Sequence, residues 1–425
     1  MKSSYYMAAF LFGSLLMSCR IGWATEEASV EQNKVIQSLG MSGSARGSYW
    51  SSSMSLDGRN DLTGGALWLK VEPKLNSNAS VVVEGWVRND DTLHGAGSQW
   101  MLRESYLNLS IGDADFRIGK QIIVWGKADK LNPTDNLTPR DYTLLVPEDD
   151  DQRIGAYAAK ATYNFTDWSL TGIWLPEFRQ NIVPLPHQAG VSLSENTPHG
   201  QGGGIKIEQS GKAIDWSLSY FDGIDINADI SFGSVNGNGL NLQLDHHRIR
   251  VVGADAATVV GKYGLRAEVA YTRTEDTDGT NLFVRNPFIY LVAGGERTFF
   301  EYLNVNLQYY ARQVSNYQSP EVEPNPQLHA IAIQEAVISN QFDRFQNGVS
   351  LRISNKWMNE TLEGEVAGIT SFTRREYVVR PKLVYSFSDL WKGTLGANLF
   401  RGEDNTFYGR LRDNSNIFTE IRYSF

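Results

Sequence analysis

Cysteine is almost missing: Cys19 stands alone in 425 residues, which excludes a disulfide-stapled scaffold. No apolar run beyond the first two dozen residues reaches the ~18 that a membrane-crossing helix needs, and mean hydropathy is negative. A helical membrane protein is therefore excluded. A transmembrane barrel is not, because its strands are half apolar and its loops are polar. Chemical signatures are scarce as well. There is no H-E-x-x-H, no Cys–His cluster, no P-loop and no G-x-S-x-G, and of the histidines only His246 and His247 are neighbours. No enzymatic activity, resident metal or cofactor is expected. The glycine run 200–204 lacks the strand–turn–helix setting of a phosphate loop and reads as the start of a strand. Glu148, Asp149, Asp150 and Asp151 could hold a divalent cation, but without spaced ligands they read as a solvated acidic loop. The net charge of −9 argues against a nucleic-acid partner.

The N-terminus supplies what the body of the chain lacks. Lys2 precedes an apolar stretch, Met7 to Met17, too short to span a bilayer, as in a secretory signal. Cleavage after Ala24 fits the small-x-small pattern of Gly22-Trp23-Ala24. Leu16-Met17-Ser18-Cys19 offers the alternative of lipidation at Cys19. Residues 1–24 are thus expected to be a signal peptide, 25–39 a periplasmic segment whose short helix, Ser29 to Leu39, sits in the periplasm or tucks into the lumen, and 40–425 the transmembrane barrel. Losing Lys2 and Arg20 with the leader makes the mature chain more acidic still.

From Gly40 onward the dominant period is two. Leu67, Leu69, Val71 and Leu75 alternate with Lys70, Glu72 and Lys74. Val81, Val83 and Val87 alternate with Glu84, Trp86 and Arg88, and Val349, Leu351 and Ile353 with Ser350, Arg352 and Ser354. Eighteen such strands of about ten residues follow, joined alternately by tight turns and by longer loops at 90–99, 125–153, 177–199, 223–246, 276–286, 315–343 and 402–415. Short periplasmic turns and long external loops are the expected pattern of an all-β transmembrane antiparallel barrel in a Gram-negative outer membrane; a merged hairpin would leave sixteen strands. Leu328 to Phe342, after Pro320, Pro324 and Pro326, predicts a helix in a long external loop, either lining an apolar vestibule or packing on its neighbours. Residues 417–425 alternate again, placing Ile417, Ile421, Tyr423 and Phe425 toward lipid. A final aromatic on an amphipathic strand, with Tyr423 in the girdle, suits recognition by the barrel-assembly machinery.

Residues 117–126, Arg117-Ile-Gly-Lys-Gln121-Ile-Ile-Val-Trp125-Gly126, precede Asn132-Pro133-Thr134-Asp135. Together they resemble the R-x-G-(R/K)-Q-x-x-x-W-G signature and N-P-x-D element of porin-like outer-membrane proteins carrying a domain-of-unknown-function label. The likeness covers about twenty-five residues. It departs at Lys127, where many relatives carry an acid, and in a shorter following loop. It implies a barrel, an outer-membrane location and, loosely, transport, with hydrophobic or aromatic compounds suspected for some relatives.

Parity places Arg117, Gly119, Gln121, Ile123 and Trp125 on the lumen side and Phe116, Ile118, Ile122 and Val124 toward lipid. Gly119 leaves the inner wall open to close packing. Pro133, Pro139 and Pro147 stiffen the loop that follows, so it is expected to fold inward and narrow the pore. Arg117, Gln121, Trp125, Lys127, Asp129, Asp135, Arg140 and Asp141 are the candidate constriction residues; alternatively Arg117 and Gln121 only hold the loop's carbonyls. Other lumen charges include Lys206, Arg266, Arg380, Lys382 and Arg422 against Glu208, Glu268, Glu365 and Glu420, a mixture that assigns no ion selectivity. The leading function is a channel passing small-molecule solutes through a loop-constricted barrel. The alternatives are a transporter for hydrophobic or aromatic compounds and a non-conducting surface or scaffold barrel. The expected partners are outer-membrane lipid, the assembly machinery, a solute and, through an unseen apolar patch, further copies of the chain.

Overall fold

The structure is a computed structural model describing residues 39–425, apart from 53–60, 93–94, 184–189 and 237–238. The leader with its two processing routes, and the helix expected before Leu39, lie outside the described residues. In chain order the strands are β1 (Ser42–Ser52), β2 (Asp61–Val71), β3 (Ala79–Thr92), β4 (Gly95–Ile111), β5 (Ala114–Gln121), β6 (Ala156–Phe165), β7 (Trp168–Leu175), β8 (Val191–Asn196), β9 (Gly202–Gln209), β10 (Ile214–Ile224), β11 (Asp229–Asn236), β12 (Gly239–Asp245), β13 (Arg248–Val260), β14 (Tyr263–Arg273), β15 (Phe288–Phe299), β16 (Leu303–Val314), β17 (Phe345–Trp357), β18 (Leu362–Ser371), β19 (Glu376–Ser386), β20 (Trp391–Arg401) and β21 (Asn416–Ser424).

All but β8, β11 and β12 form one antiparallel sheet of 18 strands. It closes on itself: β1 pairs with β2 on one side and with β21 on the other, from Ser44 opposite Ser424 to Ser52 opposite Asn416. Eighteen strands therefore replace the sixteen-strand alternative, and closure leaves no barrel edge to satisfy. The period-two pattern becomes an inside-out division of side chains. On neighbouring strands Leu218, Val269, Leu291, Leu307 and Leu351 are exposed on the outer wall, whereas Ser217, Glu268 and Gln308 are buried inside. A continuous belt of exposed aliphatic residues flanked by tyrosines suits lipid rather than water.

Three expected loops are in fact partly strand. The 90–99 connection is not a loop, because β3 and β4 pair out to Thr92 opposite Gly95. Within 177–199 and 223–246, β8, β11 and β12 form a separate three-stranded sheet at the long-loop end, β12 running parallel to β8. Against β11 packs helix α1 (Pro326–Ile338), slightly earlier than the sequence predicts. Asn325 caps it by accepting from the Gln327 and Leu328 amides, and Pro326 at the first helical position needs no amide partner. Glu335, buried on α1, accepts the Ile230 amide of β11. A one-turn helix, α2 (Phe407–Arg410), completes the long-loop end.

Candidate functional site

The segment from Ile122 to Gly155, between β5 and β6, lies inside the barrel. Its first fastening is Glu268 of β14, whose side chain is 1% exposed. One carboxylate oxygen accepts the amide and hydroxyl of Thr134, both at 2.8 Å; the other accepts the amides of Lys127 and Ala128 at 3.1 and 3.2 Å. Four donors thus satisfy one buried carboxylate, and charge-assisted bonds of this kind contribute ~1.5–3 kcal/mol each. Gly126 makes the approach possible. Its φ is +92°, and a Cβ there would lie 2.6 Å from Glu268 Oε1. Trp125, beside it, packs into a buried cluster with Ile123, Leu137, Ile173, Phe221 and Val251, and its ring occupies space that any side chain at residue 204 would fill.

From that wall the loop runs round the lumen to β17 and β19 and across to β1. Asp129 meets Arg352 of β17 at 3.1 Å, Asp149 meets Arg380 of β19 at 2.6 Å, and Glu148 meets Lys382 of β19 at 2.9 Å. Asp151 meets Arg46 of β1 at 2.6 Å, and Leu145 packs on the stacked Trp50 and Phe418. The acidic run 148–151 is therefore only in part the solvated loop its sequence suggests: Asp150 stays exposed, whereas Glu148, Asp149 and Asp151 reach wall cations and 149–152 is a 3-10 turn. Burial opposes ionisation of Asp149, but Arg380 and Lys130 outweigh it and hold the carboxyl down at about 2.

Residues 29–425 match the family described as "Protein of unknown function (DUF1302)". The chain belongs to the DUF1302 family. Its fold is also that of outer-membrane porin structures. OccK2 (OpdF) of Pseudomonas aeruginosa, solved in complex with glucuronate, aligns with a TM-score of 0.56 at 11% identity, over 91% of this chain and 95% of that one. Acinetobacter baumannii OccAB3 aligns at 0.53 and 11% identity, over 91% and 98%. Pseudomonas aeruginosa OccK10 (OpdN) aligns at 0.52 and 11% identity, over 91% and 98%. No curated protein matches.

In this DUF1302 chain the candidate constriction residues divide by what they touch. Lys127 and Asp129 bridge loop and wall, Lys127 reaching Glu208 of β9 at 3.2 Å and Asp255 of β13 at 3.7 Å. Asp135 is buried against Arg153 at 2.8 Å, Asp141 accepts from the Thr143 amide and hydroxyl, and Arg140 donates to the Asp149 carbonyl at 3.1 Å. These last three shape the loop itself. Burial pushes the Asp135 carboxyl up against the opposing pull of Arg153. Arg117 and Gln121 hold strands rather than loop carbonyls. Arg117 donates to Asn108 at 2.9 Å and lies over the Tyr106 ring; Gln121 donates to the Ala158 carbonyl at 3.0 Å. Gly119 opens no space in the lumen: at φ +133° it admits the close backbone of β4 at Ser105 and Tyr106.

Three loop partners escape sequence analysis. Arg46 has the right parity on β1 and was findable by extending the alternation. Arg103 is hidden by a bulge in β4, where the register against β3 shifts between Glu84 and Gly85; it turns inward to Glu84 at 2.7 Å and to the Arg153 carbonyl at 3.1 Å. Arg153, buried between Asp135 and Asp150, carries no pattern of its own.

Proposed function

We propose that this protein is an outer-membrane channel for small polar solutes, with the 122–155 loop setting the width of the passage. The observation that carries the proposal is the loop's double fastening, on Glu268 at one wall and, round the lumen, on Arg380, Lys382 and Arg46. A segment held at both sides of a cylinder is a fixed partition rather than a tether. The inner wall away from it is polar, with Asn306, Gln308, Ser350 and the Arg266–Glu296 ion pair. Its charges are of both signs and largely paired, which favours passage of hydrated solutes over strong selection for one ion sign. One fold neighbour was solved with glucuronate, a small polar acid within that class. The test is single-channel recording of the purified full chain in planar bilayers. Discrete steps are expected, and they should enlarge when residues 127–152 are replaced by a short Gly–Ser linker; absence of steps at any voltage favours a scaffold barrel.

A second reading rests on an apolar pocket at the long-loop end. Leu137, Ala156, Leu175, Phe178, Phe221 and Ile226 line it, and it encloses about 330 Å³ including space open to solvent. That lining suits the apolar edge of an aromatic or other hydrophobic compound resting against the loop end before the partition, the enclosed part having room for little more than one water. Uptake of such a compound by cells carrying Phe221→Asp, compared with cells carrying the unaltered chain, separates this reading from the first.

A further inference from the structure

The outer wall of β10, β13 and β14 changes character abruptly near the long-loop end. Register places Leu218, Ala254, Val269 and Leu291 in one outward row and Tyr220, Val252, Tyr271 and Ile289 in the next. The row above is Asp222, Arg250 and Arg273, with Arg248 one step higher. All three arginines are exposed. Arg248 and Arg250 share the single Asp222 carboxylate, at 2.5 and 3.1 Å, whereas Arg273 sits directly across from Arg250. Like charges opposed across antiparallel strands repel, so with Asp222 already shared by two arginines this row is short of negative charge. Glu275, the other nearby acid, is occupied by His247 and the Arg248 amide.

We infer that this row binds the phosphates of lipopolysaccharide, the anionic lipid of the outer leaflet, while the lipid's acyl chains lie along Tyr220, Val252 and Tyr271. The inference rests on the outer-membrane placement proposed above. A guanidinium fork matches a phosphate bidentately, and the arginines stand immediately above the aliphatic belt, where a headgroup would lie. A soluble anion would have no use for the apolar rows beneath.

Purified full-length barrel, stripped of bound lipid in detergent, is titrated with lipopolysaccharide and the retained lipid counted by native mass spectrometry. Arg250→Gln combined with Arg273→Gln should weaken retention by at least about ten-fold, the scale of lost charge-assisted bonds. Arg250→Lys with Arg273→Lys should retain an intermediate amount, because charge persists without the fork. Arg401→Gln, on the outer face of β20, should behave as the unaltered chain. Unchanged retention in the double Gln variant overturns the inference, as does equal competition by inorganic phosphate or by phosphatidylglycerol nanodiscs. Heat-modifiable gel migration verifies that each variant is folded. Conductance of the same samples keeps the two proposals apart. Conducting barrels whose lipid retention ignores the arginines sink only this inference, and arginine-dependent retention without conductance sinks only the channel.

Discussion

At the scale of single residues, the loop's position depends on one carboxylate and the glycine that lets it approach. Gly126→Ala introduces a methyl where Glu268 lies and strains a backbone at φ +92°, so the Lys127 and Ala128 amides should lose their acceptor. The expected outcome is a wider, noisier conducting state in bilayer recordings, with the barrel's heat-modifiable migration retained. Asp149 makes a pH prediction. Its folded carboxyl titrates at about 2 against an ordinary value of 3.8, so the folded chain binds fewer protons through that window. Its stabilising contribution is complete above the ordinary value and is lost as pH falls toward 2. Recordings should therefore show no loosening traceable to Asp149 at pH 5, and a rise in current noise near pH 2.5 that Asp149→Asn produces already at neutral pH. Of these residues the sequence marks Trp125, Lys127 and Asp129 by parity and loop position. It cannot mark Glu268 as the acceptor of the Lys127, Ala128 and Thr134 donors, because more than a hundred residues separate them and an alternating strand shows only which way a glutamate faces.

At the scale of elements, the strands were legible because a half-lipid, half-lumen wall writes its period directly into the chain. Tight turns and long connections then count eighteen of them and leave sixteen open, which the closed sheet decides. What stayed hidden was pairing inside the connections. Val191, Leu193, Leu240, Leu242 and Leu244 do alternate, yet nothing local says that β8 and β12 run parallel across 49 residues. The loop was legible as stiff from its prolines but not as crossing the lumen, since an acidic run looks alike in water and against arginines. The Arg46–Asp151 pair tests that crossing, because both side chains are largely buried, at 9% and 14% exposure. Replacing each by Ala, singly and together, should give a coupling of ~0.5–3 kcal/mol in urea unfolding from liposomes. Additive losses would mean that loop and β1 merely lie near one another.

At the scale of the whole molecule, the inside-out division of side chains makes a demand that no soluble sandwich makes. A sandwich tolerates charge on its exposed face; a barrel in lipid pays most for charge at mid-strand and least at its rims. Val269 occupies the middle of β14, flanked outward by Ala254 and Leu291, whereas the arginines at 250 and 273 stand at the rim. Val269→Arg should therefore destabilise the folded barrel by ~2–4 kcal/mol in bilayers. The same substitution at Val252, one row below the rim, should cost less. Folding titrations in liposomes measure both. A depth-independent cost, or none, would contradict the lipid-facing assignment of this wall, since nothing but a hydrocarbon layer of limited thickness distinguishes two exposed valines on one face of one sheet.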